Sequence, residues 1–182
     1  MVLAAGGGKR FGMPKAKFRY GGDRLVDLAV RTARDGGCEH VLVVLGAHVC
    51  EVPSAEVIHN PRWRSGLASS LSAGLNHLAS LESVDRAIIT LVDEPNIAPA
   101  DIEQLVRSTS PLAATMYGDQ WSHPVLINSS HWNALLQALN GDHGARPYLM
   151  EHIDELTLYP GSNLSGLEDV DFQPEPPLRG GN

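Results

Sequence analysis

Residues 1–18, MVLAAGGGKRFGMPKAKF, decide how this chain is read. Val2–Ala5 is short and apolar, which suits a buried strand. Gly6, Gly7 and Gly8 follow at once, then Lys9, Arg10, Lys15 and Lys17. Three glycine-loop mechanisms compete here. A P-loop needs GxxxxGK[ST], but Gly8-Lys9 is followed by Arg10, and Leu3 stands five residues before Gly8. A dinucleotide fingerprint needs GxGxxG opening a helix directly, and Gly12 and Pro14 spoil that opening. The third option is a long loop whose backbone N–H groups hold phosphates while Lys and Arg side chains add charge.

The charge distribution supports a polyanion at this end. Residues 1–24 carry six bases and one acid, while the other 158 carry eight bases and twenty acids. The net charge of -7 argues against nucleic acid and anionic membranes as partners. A cationic patch on an acidic body suits a compact polyanion such as a triphosphate.

The rest of the chain alternates strands with helices. EHVLVVLGA (39–47) and DRAIITLVDEP (85–95) are apolar runs of the kind covered on both faces. Leu67, Leu71, Leu75 and Leu78 form one helical stripe, with Ser65 as its expected cap. Pro99 opens another helix, and PLAATMYG and HPVLIN read as strands around Gly118-Asp119. The pattern is α/β with a mainly parallel, mixed sheet, in which ligands bind beyond the carboxyl ends of the strands. Gly6–Lys15 and Asp93 both fall there. The length suits a single domain over 1–172, with a disordered tail expected over 173–182. Cys38 and Cys50 read as core thiols of a cytoplasmic protein, with no metal spacing. Trp63, Trp121 and Trp132 read as core, with stacking on a ligand ring as the alternative.

Five stretches, taken in order, resemble one family. LAAGGGKRFGMPKA (3–16) is similar to the signature of small nucleotidyltransferases. NPRWRSGLASSLSAGL (60–75), LVDEPNIAP (91–99), HPVLI (123–127) and GDHGARPYL (141–149) resemble successive motifs of the molybdopterin cytidylyltransferase-like branch. The chain departs from that pattern at Val92 and Glu94, where Gly and Gln are usual, at Ser122, and in DVDFQPEP (169–176).

The resemblance implies a three-layer Rossmann-like nucleotidyltransferase fold. It implies transfer of CMP from CTP onto a phosphate-bearing acceptor of the molybdopterin type, with Mg²⁺ as cofactor and a molybdoenzyme as a downstream partner. Leu3, Ala4, Ala5, Gly6, Gly7, Gly8, Arg10 and Lys15 are then expected to bind nucleotide, and Asp93 and Asp171 to hold metal. Arg10, Lys15 and Asp93 carry the chemistry, and Ser69, Ser70, His123 and Arg146 contact the acceptor. GTP as donor, a sugar phosphate as acceptor, and a non-catalytic cofactor-binding role remain the alternatives.

Overall fold

The computed structural model describes residues 1–9 and 11–170. In chain order, β1 is Val2–Ala4, and a two-residue hairpin, β2 (Arg19–Tyr20) and β3 (Asp23–Arg24), leads into α1 (Leu25–Asp35). Then come β4 (Leu42–Leu45), β5 (Glu56–His59), α2 (Leu67–Ala79), β6 (Arg86–Leu91) and α3 (Pro99–Val106). The chain continues with β7 (Leu112–Tyr117), β8 (Gln120–Asn128), α4 (Ser129–Ala138), α5 (Arg146–Glu151) and β9 (Leu156–Pro160).

Seven strands form one sheet in the order β5-β4-β1-β6-β8-β7-β9. Only β8 opposes its neighbours, pairing antiparallel with β6 and β7. The mostly parallel sheet therefore carries one reversed strand, next to its centre.

Alternation along the strands makes the three layers. Leu3, Leu42 and Val44 face one side and pack with Leu71, Leu75 and Leu78 of α2 and with residues of α4 and α5. Val2, Ala4, Val43 and Leu45 face the other and pack with Leu25, Val26 and Val30 of α1 and Ile102 of α3. The leucine stripe thus faces the core as its spacing requires. Leu75 is fully buried. Leu75→Ala is expected to cost about 3 kcal/mol through lost transfer energy and an unfilled cavity. Urea denaturation reads this as a lower midpoint at unchanged slope.

Pro124 sits within an interior strand, where a residue without an N–H is ordinarily excluded. The ladder accommodates it with an irregularity. Ala114 pairs with Val125 and Thr115 with Ser122, so His123 and Pro124 have no partner on β7. His123 is thereby freed from the ladder at the end of β8 that lies beside the carboxyl end of β6.

Two expectations are corrected here. Ser65 does not cap α2; Gly66 holds that position, and the Ser65 hydroxyl donates to the Arg62 carbonyl at 2.7 Å. Cys38 and Cys50 are only partly buried, although burial still pushes the Cys38 thiol up from its ordinary pKa.

Candidate active site

From β1 the chain runs outward in one direction through β4 to β5, then returns through α2 to place β6 on the other side of β1. The loops after β1 and β6 therefore flank a topological switch point, where open α/β sheets bind ligands. A cavity of about 540 Å³ opens there. Both loops line it, through Gly6, Gly7, Gly8 and Lys15 on one side and Asp93 on the other.

The first loop is built, not merely permissive. Phe11 and Ala16 are buried beneath it, and Phe11 meets Phe18 edge-on with centroids 4.7 Å apart. Pro14 starts a single 3₁₀ turn over Lys15–Lys17, in which Lys17 N–H donates to the Pro14 carbonyl at 3.0 Å. Ala16 faces the core from that turn, and Lys15 extends into the cavity. Across the loop, Gly12 N–H donates to the Gly8 carbonyl at 2.7 Å. Gly8 has φ +61°, and a Cβ there would lie 1.9 Å from the Met13 carbonyl oxygen. No side chain fits without moving the backbone. Gly8→Ala is therefore expected to weaken nucleotide binding at least tenfold by titration calorimetry, with little change in global unfolding.

Lys15 Nζ donates to Asp93 Oδ2 at 2.7 Å, with both side chains mostly shielded at 15% and 23% exposure. The pair joins the first and third family-like stretches across 78 residues. β6 delivers Asp93 because its backbone hydrogen-bonds to β1, with Val92 N–H donating to the Leu3 carbonyl at 3.1 Å. Val170 N–H donates to the Asp93 carbonyl at 2.8 Å, so the later chain also returns to this point. Arg10 and Asp171 lie outside the described residues.

The other expected residues separate. Leu3, Ala5 and Ser70 border the cavity, as does Lys9. Ala4 points into the opposite core layer, as strand alternation demands. Ser69 Oγ donates to the carbonyls of Arg62 and Gly66 at the start of α2 and is spent on local structure. His123 Nδ1 lies 3.0 Å from Glu94 Oε1, outside the cavity wall. Arg146 stacks its guanidinium on Trp121, 4.2 Å from the ring centroid, and donates to the Trp121 carbonyl at 3.2 Å.

Sequence reasoning missed three wall residues. Trp63 borders the cavity and covers Gly7, where a Cβ would come 2.9 Å from its ring. The Arg64 guanidinium lies 4.4 Å from the Trp63 centroid. Asp142 reaches the cavity because Gly141 abuts Gly66, whose φ of +108° and 2.2 Å Cβ-to-carbonyl approach exclude a side chain. The signal in each case was position inside a recognised motif.

A MobA-like NTP transferase domain model matches residues 1–156. The chain belongs to that family. The chain is 34% identical over 187 residues to a protein named nicotine blue oxidoreductase from Paenarthrobacter nicotinovorans, covering 94% of this chain and 90% of that one. Among solved structures, Rv0371c from Mycobacterium tuberculosis H37Rv superposes with a TM-score of 0.79 at 22% identity, covering 94% of this chain and 90% of the other. A nucleotidyl transferase from Methanothermobacter thermautotroptrophicus gives 0.78 at 18% identity, covering 94% and 90%. The Rossmann-like nucleotidyltransferase fold is thus the fold of this chain, and the MobA-like family makes it a nucleotidyltransferase.

Proposed function

We propose that this nucleotidyltransferase moves CMP from CTP onto a phosphate-bearing acceptor of the molybdopterin type and releases pyrophosphate. The observation that carries the reading is the Lys15–Asp93 pair, which brings a cation and a carboxylate together at the glycine-lined cavity. In the reaction, an acceptor phosphate oxygen forms a bond to the α-phosphorus of CTP. The bond from that phosphorus to the α–β bridging oxygen breaks, and pyrophosphate carries away the electron pair. The nucleophile is already ionised near neutral pH, so no general base is required.

Both reactants are anions, so alignment and charge neutralisation dominate catalysis. Backbone N–H groups of Gly6, Gly7 and Gly8 cradle the phosphates, and Lys9, Arg10 and Lys15 offset their charge. Leu3 and Ala5 border the base. The donor set fits a hard divalent ion. Asp93 presents carboxylate oxygens at the cavity, and among the described residues no three His, Cys, Asp or Glu are grouped to hold a metal alone. Mg²⁺ suits such a site because it takes one or two carboxylates and fills its shell with water and substrate phosphates. Held by Asp93, with Asp171 as a second carboxylate, it would neutralise phosphate charge and orient the reacting groups. The LAAG start at residues 3–6 resembles the Ala-Ala-Gly that accompanies pyrimidine nucleotides in related nucleotidyltransferases. His123 and Arg146 are assigned to the acceptor.

Purified protein, Mg²⁺, molybdopterin and each of the four NTPs in turn give the test, read as pyrophosphate release. Release with CTP alone is expected. Release with GTP moves the donor assignment, and nucleotide binding without release under any condition supports a non-catalytic cofactor-binding role. One relative at 34% identity carries an oxidoreductase name. This chain is therefore also incubated with a reduced nicotinamide dinucleotide and a soluble quinone-type dye as electron acceptor. Oxidation of the dinucleotide, with no pyrophosphate released from any NTP, would overturn the reading.

A further inference from the structure

Two buried side-chain oxygens have no hydrogen-bond partner among the described residues, Thr90 Oγ1 and Glu94 Oε2. Thr90 is 6% exposed and the Glu94 side chain 10%. Both residues line one small cavity, walled also by Leu28 of α1 and Ile102 of α3. Thr90 belongs to β6 and Glu94 to the turn beyond it, where Glu94 N–H donates to the Leu91 carbonyl at 3.4 Å. The two residues therefore bracket Asp93 in the chain, while Asp93 itself borders the glycine-lined cavity. Leaving a buried polar atom without a partner costs about 1–3 kcal/mol, so two of them in one cavity call for a shared occupant.

The cavity measures about 10 Å³, room for one water molecule. Thr32 lines the same wall and adds a second hydroxyl to that of Thr90, so a water there has enough polar partners. A hard cation takes about six oxygen ligands. Only Thr32, Thr90 and Glu94 bring side-chain oxygens to a wall otherwise built of Leu, Ile, Ala and Pro. An apolar occupant would leave both orphaned oxygens unpaired. A carboxylate accepts and cannot donate, so Glu94 Oε2 requires a donor, and a water can donate to it while accepting from Thr90. Gln, usual at this position in the resembled family, would bring N–H donors of its own. Glu94 does not.

We propose that one internal water bridges Thr90 Oγ1 to Glu94 Oε2 and makes Glu94 a positioning residue for His123. The other carboxylate oxygen, Oε1, lies 3.0 Å from His123 Nδ1. With Oε2 tied to β6 through the water, the carboxylate is held at both ends and Nδ1–H has a fixed acceptor. His123 has no partner on β7, so the ladder does not fix this side chain there, and Glu94 does. The ring is thereby held with Nε2 left for a ligand. Glu94 touches no substrate and acts only through His123. The link to the acceptor rests on the role given to His123 in the proposed function; the water does not.

A high-resolution crystal structure of the unaltered whole protein, soaked in a rubidium salt, tests the occupant. A single density peak within hydrogen-bond distance of Thr90 Oγ1 and Glu94 Oε2, with no rubidium anomalous signal, is expected. An empty cavity or a rubidium peak there would overturn the inference. Thr90→Val, which keeps the shape of the side chain and removes its hydroxyl, tests the positioning, and Thr90→Ser, which keeps the hydroxyl, is its control. By NMR, the His123 Nδ1–H resonance should broaden through faster exchange in Thr90→Val and stay sharp in Thr90→Ser. With CTP, Mg²⁺ and molybdopterin, Thr90→Val should raise KM for molybdopterin about fivefold, the worth of one hydrogen bond, at unchanged kcat. Thr90→Ser should match the unaltered protein. A KM that stays level in Thr90→Val, or that rises equally in Thr90→Ser, refutes the positioning role. If Thr90→Val fails to fold, the crystal of the unaltered protein decides. If the unaltered protein releases no pyrophosphate from CTP and molybdopterin, the proposed function falls, while the density and the His123 resonance still decide the water and its hold on the ring.

Discussion

Lys15→Ala is expected to lower kcat/KM for the nucleotide by about 10²–10³, the size of effect seen when one charge-stabilising donor is removed. Lys15 reaches the cavity from a 3₁₀ turn anchored by buried Ala16, so its ammonium is placed in advance. Without nucleotide it rests on Asp93 at 2.7 Å. Triphosphate and metal would split that pair, the metal taking the carboxylate and the phosphates taking the ammonium. The substitution should therefore reduce turnover without raising the Mg²⁺ needed for half-maximal rate, because a competitor for Asp93 has been removed. A Mg²⁺ titration of pyrophosphate release checks both parts. Unchanged kinetics in this variant would remove Lys15 from the mechanism.

Asp93→Ala is expected to cost more, above about 10³ in rate. A metal that neutralises transferring phosphate contributes several kcal/mol, and each 1.36 kcal/mol is tenfold. Here the Mg²⁺ requirement should rise steeply, opposite to the behaviour of Lys15→Ala. This opposition separates loss of the metal's ligand from general damage to the loop. Folding should survive, because Asp93 lies past the end of β6 and its backbone carbonyl still accepts from Val170 N–H. Circular dichroism beside the rate measurement checks that point.

Much of this was legible in the chain. Leu42–Leu45 is buried at every residue because helices cover both faces of the sheet, and a continuous apolar run reports that directly. The leucine stripe of α2 reports its buried face in the same way. The Lys15–Asp93 meeting was legible only through motif order, since no local pattern states that residues 78 apart will touch. The hairpin of β2 and β3 was missed because two-residue strands have no periodicity to detect. Ser65 looked like a cap by residue type. The close approach of the Gly141 carbonyl, which only a glycine tolerates, moved the helix start to Gly66. Trp63 read as core yet walls the cavity, for a large ring buries area equally well against a glycine loop. Glu94 read only as a departure from Gln. Its contact with His123 depends on the irregular pairing at Pro124, which arises from two strands at once.

The most direct measurement is a crystal of the whole protein soaked with CTP and Mn²⁺, read by the anomalous signal of the metal. The account predicts a metal peak within coordination distance of Asp93, with the phosphates lying against Gly6–Lys15. A metal peak away from Asp93, or phosphates bound elsewhere on the sheet, would contradict it.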